Sequence, residues 1–183
     1  FNLYGADAKI LICPEFDKTA SCAAALTTLA EQLKAVAYVQ LPKGTSLSDA
    51  IKGRGPLGTI NASASTERAR HFFPYAIGSS NTLESLAVHA AGLRMKTDTE
   101  NGYWFSTSNR PLQGVIGMEI PLTARVDDEQ SETNQLNAVG ITTIFNSFGT
   151  GFRLWGNRSS NYPTVTHIIN FETALRTGDL IDE

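Results

Sequence analysis

Residues 136–158, LNAVGITTIFNSFGTGFRLWGNR, constrain the fold more than any other stretch. Ile141 to Phe145 is a β-branched and aromatic run, a composition that fits a pleated, half-buried strand. Ser147 to Gly151 has turn composition, and its two glycines reach positive φ at no steric cost. Phe152 to Trp155 alternates apolar and polar and reads as a second strand, ended by Gly156. Two strands joined by a short glycine-bearing loop make a β-hairpin. Phe152 and Leu154 then share one face, Arg153 and Trp155 the other.

The N-terminal third reads as a βαβ unit. Lys9 to Cys13 is a short apolar run suited to a central parallel strand. Thr19 or Ser21 can cap the following helix, which runs to about Lys34 with Leu26, Leu29, Ala30 and Leu33 as its buried stripe. Ala35 to Leu41 is the second strand, stopped by Pro42. Ser48 is expected to cap a short helix to Lys52, with Asp49 complementing its dipole. Arg70 to Ile77 reads as a third strand, with Pro74 at an edge or bulge. Asn81 or Thr82 is expected to open a long helix through Lys96. Its inner face carries Leu83, Leu86, Ala87, Ala90, Ala91 and Arg94, and its small residues Ala90 to Gly92 permit close packing. His167 to Phe171 reads as a last strand, and the overall class is α/β with a central, mostly parallel sheet flanked by helices.

Several functions are disfavoured by the residues. A net charge of −3 argues against a nucleic-acid binder. No run of about 18 apolar residues suits a membrane helix, and no signal peptide is visible. Gly53, Gly55, Pro56 and Gly58 form a loop without the Gly-x-x-x-x-Gly-Lys-Ser/Thr pattern of a phosphate cradle. Cys13 and Cys22 read as two small buried hydrophobes in a reducing compartment, too few for a metal site. A disulfide between them has no secretory feature in its favour. A Ser–His–Asp triad finds no support either. Asp7 precedes its strand, and His71, His89 and His167 do not open helices and are expected at the surface or partly buried. Asp127, Asp128 and Glu129 look like a solvated linker. No catalytic, cofactor-binding or metal-ligating residue is therefore expected. The chain begins at Phe1 and ends inside an amphipathic pattern, as an excised fragment would.

The hairpin resembles the signature of contractile tail sheath proteins. Leu136-Asn137, Gly140, Gly149 to Gly151 and Leu154-Trp155-Gly156-Asn157-Arg158 stand in the order of that family. A second segment, Ala91-Gly92-Leu93, Lys96-Thr97-Asp98, Gly102-Tyr103-Trp104 and Ser108-Asn109, is similar to another family stretch. Leu112 to Ile116, followed by polar residues 127–135, mirrors a Gly-Val and acidic linker. The family's Arg-Arg pair after the hairpin is missing here.

The resemblance implies a subtilisin-like core, and subunits that stack as rings around a tail tube and contract to drive it through an envelope for DNA ejection. Implied partners are other sheath subunits, the tube, the baseplate and a tail terminator. The implied location is the virion, after assembly in the host cytoplasm. Residues 1–158 would be the core domain and 159–183 the start of a C-terminal α+β domain. The strand-donating arms would be absent and the fragment monomeric. Gly140, Gly151 and Gly156 would serve turns and close approach. Trp155 would be a core plug or a subunit anchor, and Arg158 would pair with an acid within the domain or across a ring. The competing reading is a soluble α/β hydrolase or small-molecule-binding domain.

Overall fold

Val36–Gln40 (β2) is buried at every residue, which only a strand covered on both faces can be. In the computed structural model, which describes residues 7–54, 66–147 and 149–182, it lies inside a five-stranded sheet. The order is β1 (Ile10–Ile12), β2, β3 (Ala69–Phe72), β7 (Ile141–Ser147), β8 (Gly151–Trp155). The first four strands are parallel, and β8 returns antiparallel from β7.

Period-two alternation along β2 sorts the core. Val36 and Tyr38 face α3 (Leu86–Asn101) and α5 (Glu172–Asp182), packing with Phe72, Leu86, Ala90, Ile144, Leu154 and Leu175. Ala37 and Val39 face α1 (Ala20–Gln32), packing with Ala23 and Ala30. A third cluster joins Leu41, Phe73 and Ile141 to Ala50 of α2 (Leu47–Lys52) and Leu136 of α4 (Glu132–Ala138). The class is thus mixed α/β, a mostly parallel sheet with helices on both faces.

The hairpin forms as the pattern predicts. Thr143 sits opposite Trp155 and Ile144 opposite Leu154. Gly149 and Gly151 take φ of +74° and +76° at the turn.

Other expectations need correction. Ser46, not Ser48, caps α2: its Oγ accepts from the Asp49 N–H at 3.1 Å, three residues on, as a capping hydroxyl must. Thr19 does occupy the cap position of α1, but its hydroxyl donates to the Phe16 carbonyl instead. Leu29 faces solvent at 41% exposure, because the stripe runs through Ala23, Thr27 and Ala30.

The run from Arg70 to Ile77 is not one strand. The chain leaves the main sheet after Phe72 and enters a second, antiparallel sheet at β4 (Ala76–Gly78), which pairs with β5 (Leu83–Glu84) and β6 (Val115–Met118). Pro74 lies at that crossing, where its missing N–H breaks no ladder. The long helix therefore opens at Leu86, after Ser85, and Leu83 is left exposed in β5. Residues 167–171 form no strand: a short 3-10 helix spans Ile168–Asn170, with His167 at its cap, and leads into α5. Glu132 to Gln135 of the expected polar linker are helical, in α4. The glycine-rich loop after Arg54 falls on residues 55–65, outside the described residues.

Candidate functional site

The site begins with one charged residue in an apolar strand. Arg70 occupies β3 between Ala69 and His71, and its face of the sheet is the one that holds Tyr38 and Phe72. It is fully buried. Its guanidinium donates to Tyr38 Oη at 3.2 Å, Thr142 Oγ1 at 3.0 Å and the Gly156 carbonyl at 3.0 Å, and forms an ion pair with buried Glu172 at the start of α5. Tyr38 Oη in turn donates to Glu172. A buried charge demands such partners, since stripping its water is otherwise very costly. Burial pushes the Arg70 pKa down and the Tyr38 phenol up.

A second cluster adjoins it through α5. Asp98 of α3 accepts from Arg94 Nε at 2.8 Å and from both terminal nitrogens of Arg176 at 3.1 and 2.7 Å. Arg94, its side chain fully buried, also donates to the Phe105 carbonyl at 2.6 Å. Further along α5, Asp179 takes a two-pronged contact from Arg68 at 2.8 and 2.6 Å. The Asp179 hydrogen bond holds the Arg68 pKa up.

The motif residues sit around this framework. Asn137 ends α4 against the start of β7: its carbonyl accepts from the Gly140 N–H at 3.2 Å and from Arg158 Nη1 at 3.0 Å. Gly140 has φ +75°, and a Cβ there would lie 2.5 Å from the Ser159 carbonyl oxygen. Gly156, at φ +110°, would place a Cβ 3.3 Å from Thr142 Cα. Gly156 also connects the two motifs, because its N–H donates to Ser108 Oγ at 3.0 Å. Asn109, in a left-handed conformation, donates its N–H to the Leu154 carbonyl at 2.7 Å, and Leu112 donates to Phe152 at 2.9 Å. The 109–112 segment thereby covers the outer edge of β8, an edge that would otherwise invite pairing with another chain. Leu136 is buried in the third core cluster.

Four further motif residues have these surroundings within the single chain. Arg158 finds no acid among the described residues; it stacks 4.1 Å from the Tyr162 ring centroid and bonds the Asn137 carbonyl. Trp155 is half-buried, edge-on to Phe145 at 5.5 Å, and its indole N–H has no acceptor among the described residues. Gly102 takes φ +96° and lies beneath the Trp104 ring, which is itself 58% exposed. Gly92 has open space where a Cβ would stand, so it mediates no close approach among the described residues.

The sequence reading missed Arg70, Glu172, Tyr38, Arg94 and Arg176 as a group. The available signal was an arginine inside the apolar RHFF run, a position that only a buried partner makes tolerable.

Comparison with known proteins matches residues 2–160 to the phage tail sheath protein central domain. The tail sheath protein of Burkholderia phage BcepMu is 49% identical over the whole chain. The chain belongs to the phage tail sheath protein family. A putative prophage major tail sheath protein of Pseudomonas aeruginosa is 30% identical over 97% of the chain. Among solved structures, the anti-feeding prophage baseplate superposes with a TM-score of 0.69 at 20% identity, covering 95% of the chain and 43% of its own. A sheath tail protein from Desulfitobacterium hafniense gives 0.66 at 9% identity, covering 98% of the chain and 40% of its own. The sheath domain spans 39% and 44% of the length of the two curated relatives.

Family membership sets aside the hydrolase alternative: sheath proteins are structural. The histidines agree with a structural role. His71 is fully buried, neither at the surface nor partly buried as expected, because β3 is covered on both faces. His89 Nε2 lies 2.8 Å from Glu84 Oε2, and His167 Nδ1 accepts from the Ile169 N–H.

Proposed function

We propose that this chain is the central domain of a contractile sheath subunit, one that polymerises with copies of itself around a tail tube. In this reading subunits stack as rings, and contraction drives the tube through a host envelope for DNA ejection. Baseplate and tail terminator bound the polymer, and assembly takes place in the host cytoplasm. The support is the 49% identity to the BcepMu tail sheath protein along the entire chain. The sheath reading also suits the site, whose buried charges tie backbone segments of the domain together.

Two finer points belong to the same reading. The mostly parallel sheet, with helices on both faces, corresponds to the subtilisin-like core of sheath subunits. Residues 1–158 are the core, and residues from 159 lead toward a C-terminal domain, while the arms that exchange strands between subunits lie in other parts of the full-length protein. Without those arms the chain is monomeric.

The test is negative-stain electron microscopy of a protein of the relatives' full length that carries these residues. Long hollow tubes are expected. Discrete particles at every concentration would overturn the proposal. The 183-residue chain alone should sediment as a monomer.

A further inference from the structure

Cys13 follows β1 and Cys22 lies in the first turn of α1, and the fold brings the two sulfurs to 3.7 Å, with Cys22 donating to Cys13. Both are half-buried rather than sealed in the core, because this end of α1 is largely exposed. They are the only cysteines of the chain, and they take no part in the arginine–carboxylate network. We propose that Cys13 and Cys22 form a redox-sensitive dithiol, which a two-electron oxidant of the peroxide or small-disulfide class converts to an intramolecular disulfide.

The chemistry balances with hydrogen peroxide as oxidant. The Cys13 thiolate attacks one peroxide oxygen, the O–O bond breaks, and a sulfenic acid and one water form. The Cys22 thiolate then attacks the Cys13 sulfur, the S–O bond breaks, and a second water leaves. Two thiols lose two electrons and two protons, and peroxide is reduced to two waters. The hydrogen bond assigns the roles. Cys22 is the donor, and burial, then the Cys13 contact, pushes its thiol pKa up. Cys13 is therefore the attacking sulfur and Cys22 the resolving one. A bond of ~2.0 Å requires the sulfurs to close by less than 2 Å or so. Side-chain rotation, with a small shift of the exposed residues Pro14, Glu15 and Phe16, supplies that movement.

The consequence reaches the sheet. The loop closed by the disulfide contains Asp17, whose Oδ2 accepts from the Gln40 N–H at 2.9 Å. Gln40 in turn holds the Phe72 carbonyl through Nε2 and the Ala87 N–H, in the first turn of α3, through Oε1. Oxidation would clamp the loop on which this chain of contacts depends. If the sheath reading holds, a particle built in a reducing cell and released into an oxidising medium would pass through this transition.

The experiment treats the purified chain with hydrogen peroxide and reads free thiols, intact mass and thermal midpoint. Both thiols should disappear together with a mass loss of two hydrogens. The midpoint should rise by roughly 5–10 °C for a loop of this size, reversibly with dithiothreitol. Cys22→Ser should instead leave Cys13 as a sulfenic acid that dimedone traps. Thiols that persist, oxidise independently or pair only between molecules would overturn the proposal. The readout concerns a single chain, so it stands or fails independently of whether the subunit builds a sheath.

Discussion

Removing one side of the Arg70–Glu172 pair is the sharpest perturbation the fold offers. Glu172→Ala leaves the Arg70 guanidinium fully buried with only the neutral oxygens of Tyr38, Thr142 and Gly156. Orphaning one member of a buried ion pair costs about 3–5 kcal/mol. That is a large share of the ~5–15 kcal/mol that holds a typical domain together. For a chain of this length it corresponds to a fall in thermal midpoint of roughly 10 °C or more. Arg70→Met should cost a similar amount, since it strands the Glu172 carboxylate. The double variant Arg70→Met/Glu172→Leu removes both charges and should be destabilised by less than the two single effects added together, a coupling of about 1–3 kcal/mol. Urea denaturation followed by circular dichroism measures all three. Single variants within ~0.5 kcal/mol of the parent, or strictly additive effects, would refute the view that this pair unites α5 with the sheet.

The glycines separate by the space around them. Gly140→Ala should destabilise by at least ~1–2 kcal/mol from its left-handed backbone alone, and by more from the contact with the Ser159 carbonyl. Gly92→Ala, in the middle of α3 with nothing near, should stabilise by ~0.5–1 kcal/mol. Both are read from denaturation midpoints. Burial raises the Asp17 pKa, so its contribution is complete below the unfolded value near ~3.9 and is lost as pH rises through the folded value. Asp17→Asn should accordingly gain stability relative to the parent as pH climbs from about 4 toward neutrality, in denaturation curves recorded across that range. Truncation after Ser160 strips Glu172, Arg176 and Asp179 from their partners, and should abolish the cooperative thermal transition seen by calorimetry.

Local composition carried the hairpin and the βαβ unit, because period and β-branching act over a few residues. It did not carry strand order, since the apolar run expected at the centre of the sheet is its edge strand β1, and the buried central place falls to β2. What it could not carry was set by contacts distant in sequence. Leu83 and Glu84 continue the apolar rhythm of α3, yet they pair with Ala76 and Ile77 as β5, a choice made by the second sheet. His167 to Phe171 has strand composition, but Asn170 is drawn inward by Ser159 Oγ at 3.0 Å and the segment coils instead. The motif glycines were visible as glycines. That Gly140 crowds Ser159, while Gly92 faces open space, required the fold. Arg70 and Glu172 lie a hundred residues apart, and no local pattern pairs them.

Cryo-electron microscopy with helical reconstruction of the proposed polymer tests the central claim most directly. The account predicts that this domain fits every subunit of the shell as one body, with α5 seated on the sheet and the Arg70–Glu172 pair closed. Density that required α5 to leave the sheet, or a shell with no place for this domain, would contradict it.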